Sequence, residues 1–523
     1  MIKKAFFCGV ILMCIFSVSA QKAMQYGLAA PAVLRQVPKQ DKQRLLDEDA
    51  KKEKGRLRCA VLLPFNKAFP EDIEPEKVAT GTLWRMKIEA EDAEAINLYL
   101  EDFQLPKGAE LSFYTPDFEY KLPTILSDEN PQNKIYVTDH LPGNALIVEL
   151  FVPAGVKARN CFTIKDIGYM YRPLPQWLRD SKGFGHSENC EVNVNCPEGA
   201  DWQNEKKGVA RILLVANGIS YYCSGSLINN ARKDKTPYFL TANHCAENAK
   251  EEDFAKWKFY FNYESPSCAN PEKEPNYYIA TGSEKIACGD LSGGSDFLLL
   301  KLNADVASAP DLCFNGWNIE PTPANNGVGI HHPQGDIKKI STYTKLKEDD
   351  SRKTHWSLQW TQTQTNWGVT EPGSSGSPIF DQNRCVVGTL TGGNAECIVP
   401  LGEDMYGKMS YHWDKNGNTP AEQLKPWLDP DNTGITKMKS SCDKEEYPTQ
   451  PPYVFPNPTN EKLTIMNYEM GMNIEIFDII GRKVMSITSL LSREIKISHL
   501  AAGLYIVIIE SNSERKTQKI IKI

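Results

Sequence analysis

The sequence predicts an all-β protein made of several domains. Apolar residues come in short alternating runs, such as Thr82–Ile88, Ala109–Tyr114 and Ala145–Leu150. Alternation with period two is the pattern of half-buried strands. Pro, Gly, Asp and Asn break the runs, as turns between antiparallel strands do. At 523 residues the chain is also too long for one ordinary core.

Each segment supports that reading in turn. Lys3-Lys4 precede an apolar run from Ala5 to Val18, and Val18-Ser19-Ala20 is a small-residue cleavage signal. Residues 1–20 read as a secretory signal peptide cut after Ala20. The run is too short for a good membrane span, and no later segment has that length. Residues 21–58, rich in Lys, Gln, Asp and Arg, read as a flexible leader. From Cys59 to about Tyr171 the alternating runs suit an antiparallel β-sandwich. Cys59 and Cys161 bracket this unit as its only cysteines and are expected to pair with each other. Arg179–Gly185 is basic and turn-prone, which marks a cleavable junction, so residues 21–182 read as a pro-region.

Residues 183–442 hold ten cysteines and strand-like runs at Ala210–Val215, Phe297–Leu302 and Cys385–Leu390. Only Ala421–Leu428 looks like a short helix. A double barrel with a C-terminal helix fits this pattern. Five prolines in residues 443–458 make an extended linker. The last unit, ending at Ile523, has four or five short strands and no cysteine.

Composition excludes some classes. A net charge of −7, spread along the chain, gives no electrostatic case for a nucleic-acid partner. Two of the fourteen cysteines leave with the signal peptide, and an even number in an exported chain favours disulfides. No His/Cys/Asp cluster has ligand spacing, so no metal or cofactor is expected.

The chemistry concentrates in two motifs. Gly373-Ser374-Ser375-Gly376-Ser377-Pro378 sets a serine between glycines, where a Cβ would obstruct a tight turn. Ser375 is the candidate nucleophile, and the amides of Gly373 and Ser375 are the candidate oxyanion hole. Thr241-Ala242-Asn243-His244-Cys245 ends a strand in a histidine followed by cysteine, and His244 is the candidate base. A Cys223–Cys245 bridge would fix its loop. The supporting acid is expected between them in sequence: Asp296 opens the apolar strand Phe297–Leu302, while Asp311 and Asp336 are competitors in poorer strand context. Motifs in this order resemble those of a chymotrypsin-like double β-barrel, the fold expected here.

Residues 183–440 resemble the bacterial lysyl endopeptidase family of trypsin-like serine proteases. The resemblance rests on Cys190–Gly199, Cys223–Asn230, Tyr238–Cys245, Ser295-Asp296-Phe297, His331-His332-Pro333, Gly368–Ile379, Asp404-Met405-Tyr406-Gly407 and Trp427–Pro430. It implies a catalytic triad of His244, Asp296 and Ser375, and a substrate-binding carboxylate at Asp404. It also implies bridges Cys190–Cys397, Cys196–Cys268 and Cys223–Cys245. Cys288, Cys313, Cys385 and Cys442 lie outside the family pattern; 288–313 and 385–442 are the expected pairs. The family's substrate-binding histidine, before a Gly-Gly pair, aligns with Thr391 before Gly392-Gly393, and its partner tryptophan has no counterpart in Leu346–Asp350. Cleavage after Lys or Arg, rather than Lys alone, is therefore expected. Pancreatic-type relatives have an aspartate at Ser374 that pairs with the new N-terminus; here activation cannot use that pair. Lys182-Gly183 is the expected self-processing site, with Arg179 as the alternative. A catalytically silent relative acting as an adhesin is the competing class, and the joint presence of His244, Asp296 and Ser375 argues against it.

Residues 453–523 resemble the C-terminal sorting domain of the type IX secretion system, a small β-sandwich. Tyr453–Asn460, Ile474–Arg482 and Leu500–Val507 carry that likeness. It implies export by that machinery from a Bacteroidota-type bacterium, then release or attachment to surface lipopolysaccharide. A monomer acting on protein substrates is expected.

Overall fold

Alternating apolar residues line the inner faces of two sheets in the sandwich. Its strands are β1 (Leu57–Phe69), β2 (Gly81–Glu89), β3 (Ala95–Glu101), β4 (Glu110–Tyr114), β5 (Ala145–Pro153) and β6 (Phe162–Met170). One sheet runs β2-β5-β4 and the other β1-β6-β3. Met86, Ile88, Leu98, Leu111, Val148 and Ile164 meet in the buried core between them. This computed structural model describes residues 22–172, 186–442 and 453–523, apart from 30, 32–33, 52–55, 273, 305, 307–308, 310, 467–471, 489–493 and 511–514. Residues 1–443 form one unit and 444–523 a second. The expected signal peptide and the junction at Arg179, Lys182 and Gly183 lie outside the described residues.

The leader is more ordered than its composition suggests. A helix spans Lys42–Ala50, capped by the Asp41 carboxylate accepting from Arg44 N at 3.0 Å. Its Leu45 is buried. Its Asp49 pairs with Arg58 and Arg172 and accepts from Tyr171. A few anchored side chains thus order a polar segment.

The first barrel comprises β7 (Val209–Ala216), β8 (Ile219–Leu227), β9 (Tyr238–Thr241), β10 (Lys258–Phe261) and β11 (Leu298–Leu302). Strand β7 lies between β8 and β10, and β9 between β8 and β11. The second barrel contains β12 (Gly327–His331), β13 (Lys339–Tyr343), β14 (His355–Gln359), β15 (Pro378–Asp381), β16 (Val386–Gly393) and β17 (Glu403–Lys408). Its order is β13-β12-β15-β16-β17-β14. Trp356, Trp360, Ile379, Leu390 and Tyr406 fill its interior. The sandwich joins the first barrel edge to edge: β1 pairs with β8 through Val61↔Ile219, Ala60↔Ser220, Arg58↔Tyr221 and Leu57↔Tyr222. A cavity of about 870 Å³ remains at this boundary, lined by Cys59, Met170 and Arg172 on one side and Arg211, Tyr260 and Tyr263 on the other.

The expected single helix at Ala421–Leu428 is instead a 3-10 turn, Pro420–Glu422, followed by a separate turn of helix, Lys425–Leu428. Pro426 explains the break, because proline fits only the first turn of a helix.

Bridges join Cys190–Cys397, Cys196–Cys268, Cys223–Cys245 and Cys313–Cys442. Three cysteine expectations need correction. Cys59 and Cys161 are unbridged. They sit at opposite ends of an antiparallel pair, since Ala60 lies opposite Met170 while Phe162 lies opposite Phe69; at roughly 3.3 Å per residue, about 30 Å separates them. Cys313 bonds Cys442, so neither 288–313 nor 385–442 forms, and neither Cys288 nor Cys385 takes part in a bridge. Phe314 N donates to Ser441 Oγ, and this contact aligns the two cysteine-bearing segments.

The second unit has a three-stranded and a four-stranded sheet among the described residues. Leu463, Ile474, Ile476, Val507, Ile509 and Ile520 form its core.

Candidate active site

The site is built where the two barrels meet. His244 lies in a 3-10 turn, Asn243–Ala246, just beyond β9. The Cys223–Cys245 bridge ties this turn to β8. Asp296, fully buried ahead of β11, accepts from His244 N at 2.9 Å and from His244 Nδ1 at 2.7 Å. Its backbone is left-handed, with φ of 57°, uncommon for a residue with a Cβ. Strain of this kind persists only where surroundings over-determine it; here the two bonds to His244 do so. A carboxylate accepts from both donors, so the ring proton belongs on Nδ1 and Nε2 is left bare. Nε2 is buried with no hydrogen-bond partner among the described residues.

Ser375 is brought to the same place by backbone docking. Its carbonyl accepts from Ser224 N of β8 at 2.8 Å, and Ser224 Oγ donates to the Gly373 carbonyl at 2.9 Å. Gly376 has φ of 79°, and a Cβ there would come 2.1 Å from Thr241 Oγ1 and 2.6 Å from Ala242 N. The serine turn can thus press against the histidine strand only with glycine at 376. The amides of Gly373 and Ser375 donate to no protein acceptor among the described residues. No hydrogen bond joins Ser375 Oγ to His244 Nε2 in this state; such contacts tighten on substrate binding in many enzymes.

Ser374 is held by neutral partners. His331 Nδ1 and Ser374 Oγ lie 2.8 Å apart, and His331 Nε2 meets Ser341 Oγ at 2.9 Å. Burial pushes the His331 imidazole down to about 3, so it carries no charge near neutral pH. An uncharged, hydrogen-bonded imidazole thus anchors the turn at Ser374.

Asp404, on β17, is buried rather than part of an exposed acidic turn. Its Oδ2 accepts from Trp360 Nε1 and Thr370 Oγ1, each at 2.7 Å, and its Oδ1 from Ala395 N at 3.3 Å. Gly393 pairs opposite it, and a Cβ on Gly393 would come 2.0 Å from Oδ1. Neighbouring Glu403 is more exposed and pairs with Lys347. Thr391 Oγ1 sits 3.0 Å from Nε2 of His355, an imidazole of β14. Burial lowers His355 to about 4, against the pull of the Asp296 charge. Sequence reasoning missed Trp360, Thr370 and His355 as members of this site, and no local motif marks them. Asp311 pairs with Lys207, and Asp336 accepts from Ser187; neither bonds His244.

Fold and arrangement together define an all-β domain of two barrels with a histidine–aspartate pair beside a serine turn. More particularly, residues 184–407 match the family model for the lysyl endopeptidase C-terminal domain. Residues 453–523 match that for a secretion system C-terminal sorting domain, which indicates secretion and a cell-surface destination. A lysyl endopeptidase of Pseudomonas aeruginosa is 30% identical over 288 residues, 52% of this chain and 60% of that protein. Secreted RxLR effector protein 73 of Plasmopara viticola is 24% identical over 265 residues, 48% of this chain and 62% of that protein. The chain thus spans about 60% of the length of these relatives. Among solved structures, a protease from Arthrobacter nicotinovorans aligns over 41% of this chain and 95% of its own at 16% identity, with a TM-score of 0.29. A Glu endopeptidase aligns over 44% and 93% at 17% identity, with a TM-score of 0.27.

Proposed function

We propose that residues 183–442 are a serine endopeptidase that cuts after Lys or Arg and is made as a zymogen. The observation that carries this reading is the two-point hold of Asp296 on His244, which leaves Nε2 bare beside the serine turn. Nε2 takes the proton of Ser375 as Oγ attacks the scissile carbonyl, then gives it to the leaving amine. Water, activated by the same nitrogen, hydrolyses the acyl-enzyme. The amides of Gly373 and Ser375 receive the developing oxyanion, a contribution of about 3–4 kcal/mol per donor in comparable sites. Asp404 is the carboxylate that meets the cationic side chain, with Thr391, Gly392 and Gly393 lining the approach.

The zymogen reading is supported by the sandwich strand β1 on the edge of β8. Arg56 adds to it, donating to the carbonyls of Cys245 and Glu247 next to the catalytic histidine. The sorting domain supports delivery by the type IX machinery, ending in release or attachment to lipopolysaccharide.

A fluorophosphonate probe is expected to label Ser375 in the secreted protein, and Ser375→Ala is expected to lose labelling and accumulate uncut before Gly183. Normal trimming of that variant in a protease-deficient host would refute self-processing. Absence of labelling in the wild type would refute the enzyme.

A further inference from the structure

Strand β16 leads from the serine turn past Asp404 to a hairpin tip at residues 394–402. Its inner part pairs with β15 through Pro378↔Thr389, and Leu390 still bonds Gly376 and Ser377. Beyond that, Gly392 and Gly393 pair only with β17, opposite Met405 and Asp404, among the described residues. One strand edge is therefore open at Thr391–Gly393, next to the candidate nucleophile, and its glycines let another backbone approach closely.

The tip beyond this edge carries an unusual surface. Ile398 is 84% exposed, Val399 50% and Leu401 61%. In the described part of residues 186–442, Leu291 at 40% is the only other large hydrophobic side chain so exposed. Nor is the tip loose. The Cys190–Cys397 bridge pins it, Glu396 and Val399 exchange both backbone hydrogen bonds, Gly402 N donates to Val399 O, and Gln359 Nε2 holds the Leu401 carbonyl. The fold thus holds three aliphatic side chains out in water beside the pocket, at a cost that a partner would recover.

We propose that this tip is a docking site for apolar side chains of the polypeptide substrate, on the acyl side of the cleaved bond. The inference rests on the endopeptidase reading of the same site. A residue held by Asp404 belongs to the acyl side, and the tip lies beyond Asp404 as β16 runs away from Ser375. An extended peptide adding to the open edge, at roughly 3.3 Å per residue, reaches Ile398 and Leu401 with residues three to five positions before the scissile bond. The occupant is an extended polypeptide carrying Leu, Ile, Val or Phe at those positions.

The test compares two lysyl anilide peptides on the full chain as secreted, one with alanines before the lysine and one with leucines at the third and fourth positions before the cleaved bond. The leucine peptide is expected to have about tenfold higher kcat/KM. In the double variant Ile398→Ser, Leu401→Ser this ratio is expected to fall to near one, whereas in Leu291→Ser it stays. A ratio near one in the wild type, or an unchanged ratio in the double variant, overturns the proposal. So does an unchanged ratio accompanied by loss of vesicle binding or of self-association, which assigns the tip to a membrane or to a second copy. Failure to cleave either peptide together with failure of fluorophosphonate labelling overturns the endopeptidase reading itself.

Discussion

The two barrels are completed in different ways. All nine strands in the sheet of the second barrel come from residues 317–438. The sheet of the first barrel has twelve, and it continues through β8 into β1, β6 and β3 of the sandwich. His244 and Asp296 belong to the barrel whose sheet runs on into its neighbour; Ser375 and Asp404 belong to the one whose sheet is its own. The lesson is that the half carrying His244 shares a sheet with the N-terminal segment, whereas the half carrying Ser375 meets that segment through side-chain packing at Ile337. An open edge on β8 would otherwise be a template for unwanted pairing, so β1 both covers and steadies the strand behind the His244 turn.

The contrast can be broken or sharpened by substitution. The largest effect is expected from Asp296→Asn, which keeps the shape but favours the wrong ring tautomer; by analogy with other triads kcat should fall about 10⁴-fold. Single-turnover kinetics at fixed pH would measure it, and a loss below tenfold would remove Asp296 from its role. Next is Asp404→Ser in the self-contained barrel. Cleavage after basic residues should drop roughly 10²- to 4 × 10³-fold, the scale of 3–5 kcal/mol for an unpaired buried charge. Labelling of Ser375 should persist. Paired Lys-, Arg- and Phe-anilides read the change, and an equal loss on all three would point to structural damage instead.

The third tests the coupling itself. Ala60 is buried and sits between Ser220 of β8 and Met170 of β6, so Ala60→Pro removes a ladder hydrogen bond in mid-sheet. A cost of about 3 kcal/mol is expected, read as lowered thermal stability and a lower yield of labelled protein. An unchanged yield would mean that the first barrel does not depend on the sandwich. The smallest effect concerns pH. His355 is buried and lowered to about 4 from an ordinary 6.5, so between those values the unfolded chain binds more protons than the folded one. Stability at this site is fully present above pH 6.5 and is lost as pH falls towards 4. His355→Asn should flatten that part of the stability profile, by on the order of 3 kcal/mol at its acid end. Chemical denaturation at stepped pH would reveal an unchanged slope if the imidazole titrates normally.

Local motifs explain what was legible from the sequence alone. His244 with Cys245, Asp296 at a strand start and Ser375 between glycines each stand in a distinctive local context, and the structure brings His244 and Asp296 into contact. Strand periodicity likewise anticipates the all-β architecture. Contacts made across strands leave no such mark. Trp360 and Thr370 reach Asp404 from 44 and 34 residues away, and His355 reaches Thr391 from 36. Cysteine order cannot decide between alternative pairs, and Cys313–Cys442 closes across 129 residues. Charge-rich composition hid the helix at Lys42–Ala50, whose order comes from Asp41, Leu45 and Asp49 rather than from a broad apolar face.

The bridge behind His244 has a further consequence. Cys245 follows the imidazole directly, so the anchor of its turn is a covalent bond that thiol-rich cytoplasm keeps open. On the endopeptidase reading, a chain still inside the cell that makes it lacks this anchor, and oxidation after export supplies it. On that reading the compartment decides when the His244 turn becomes fastened to its neighbouring strand.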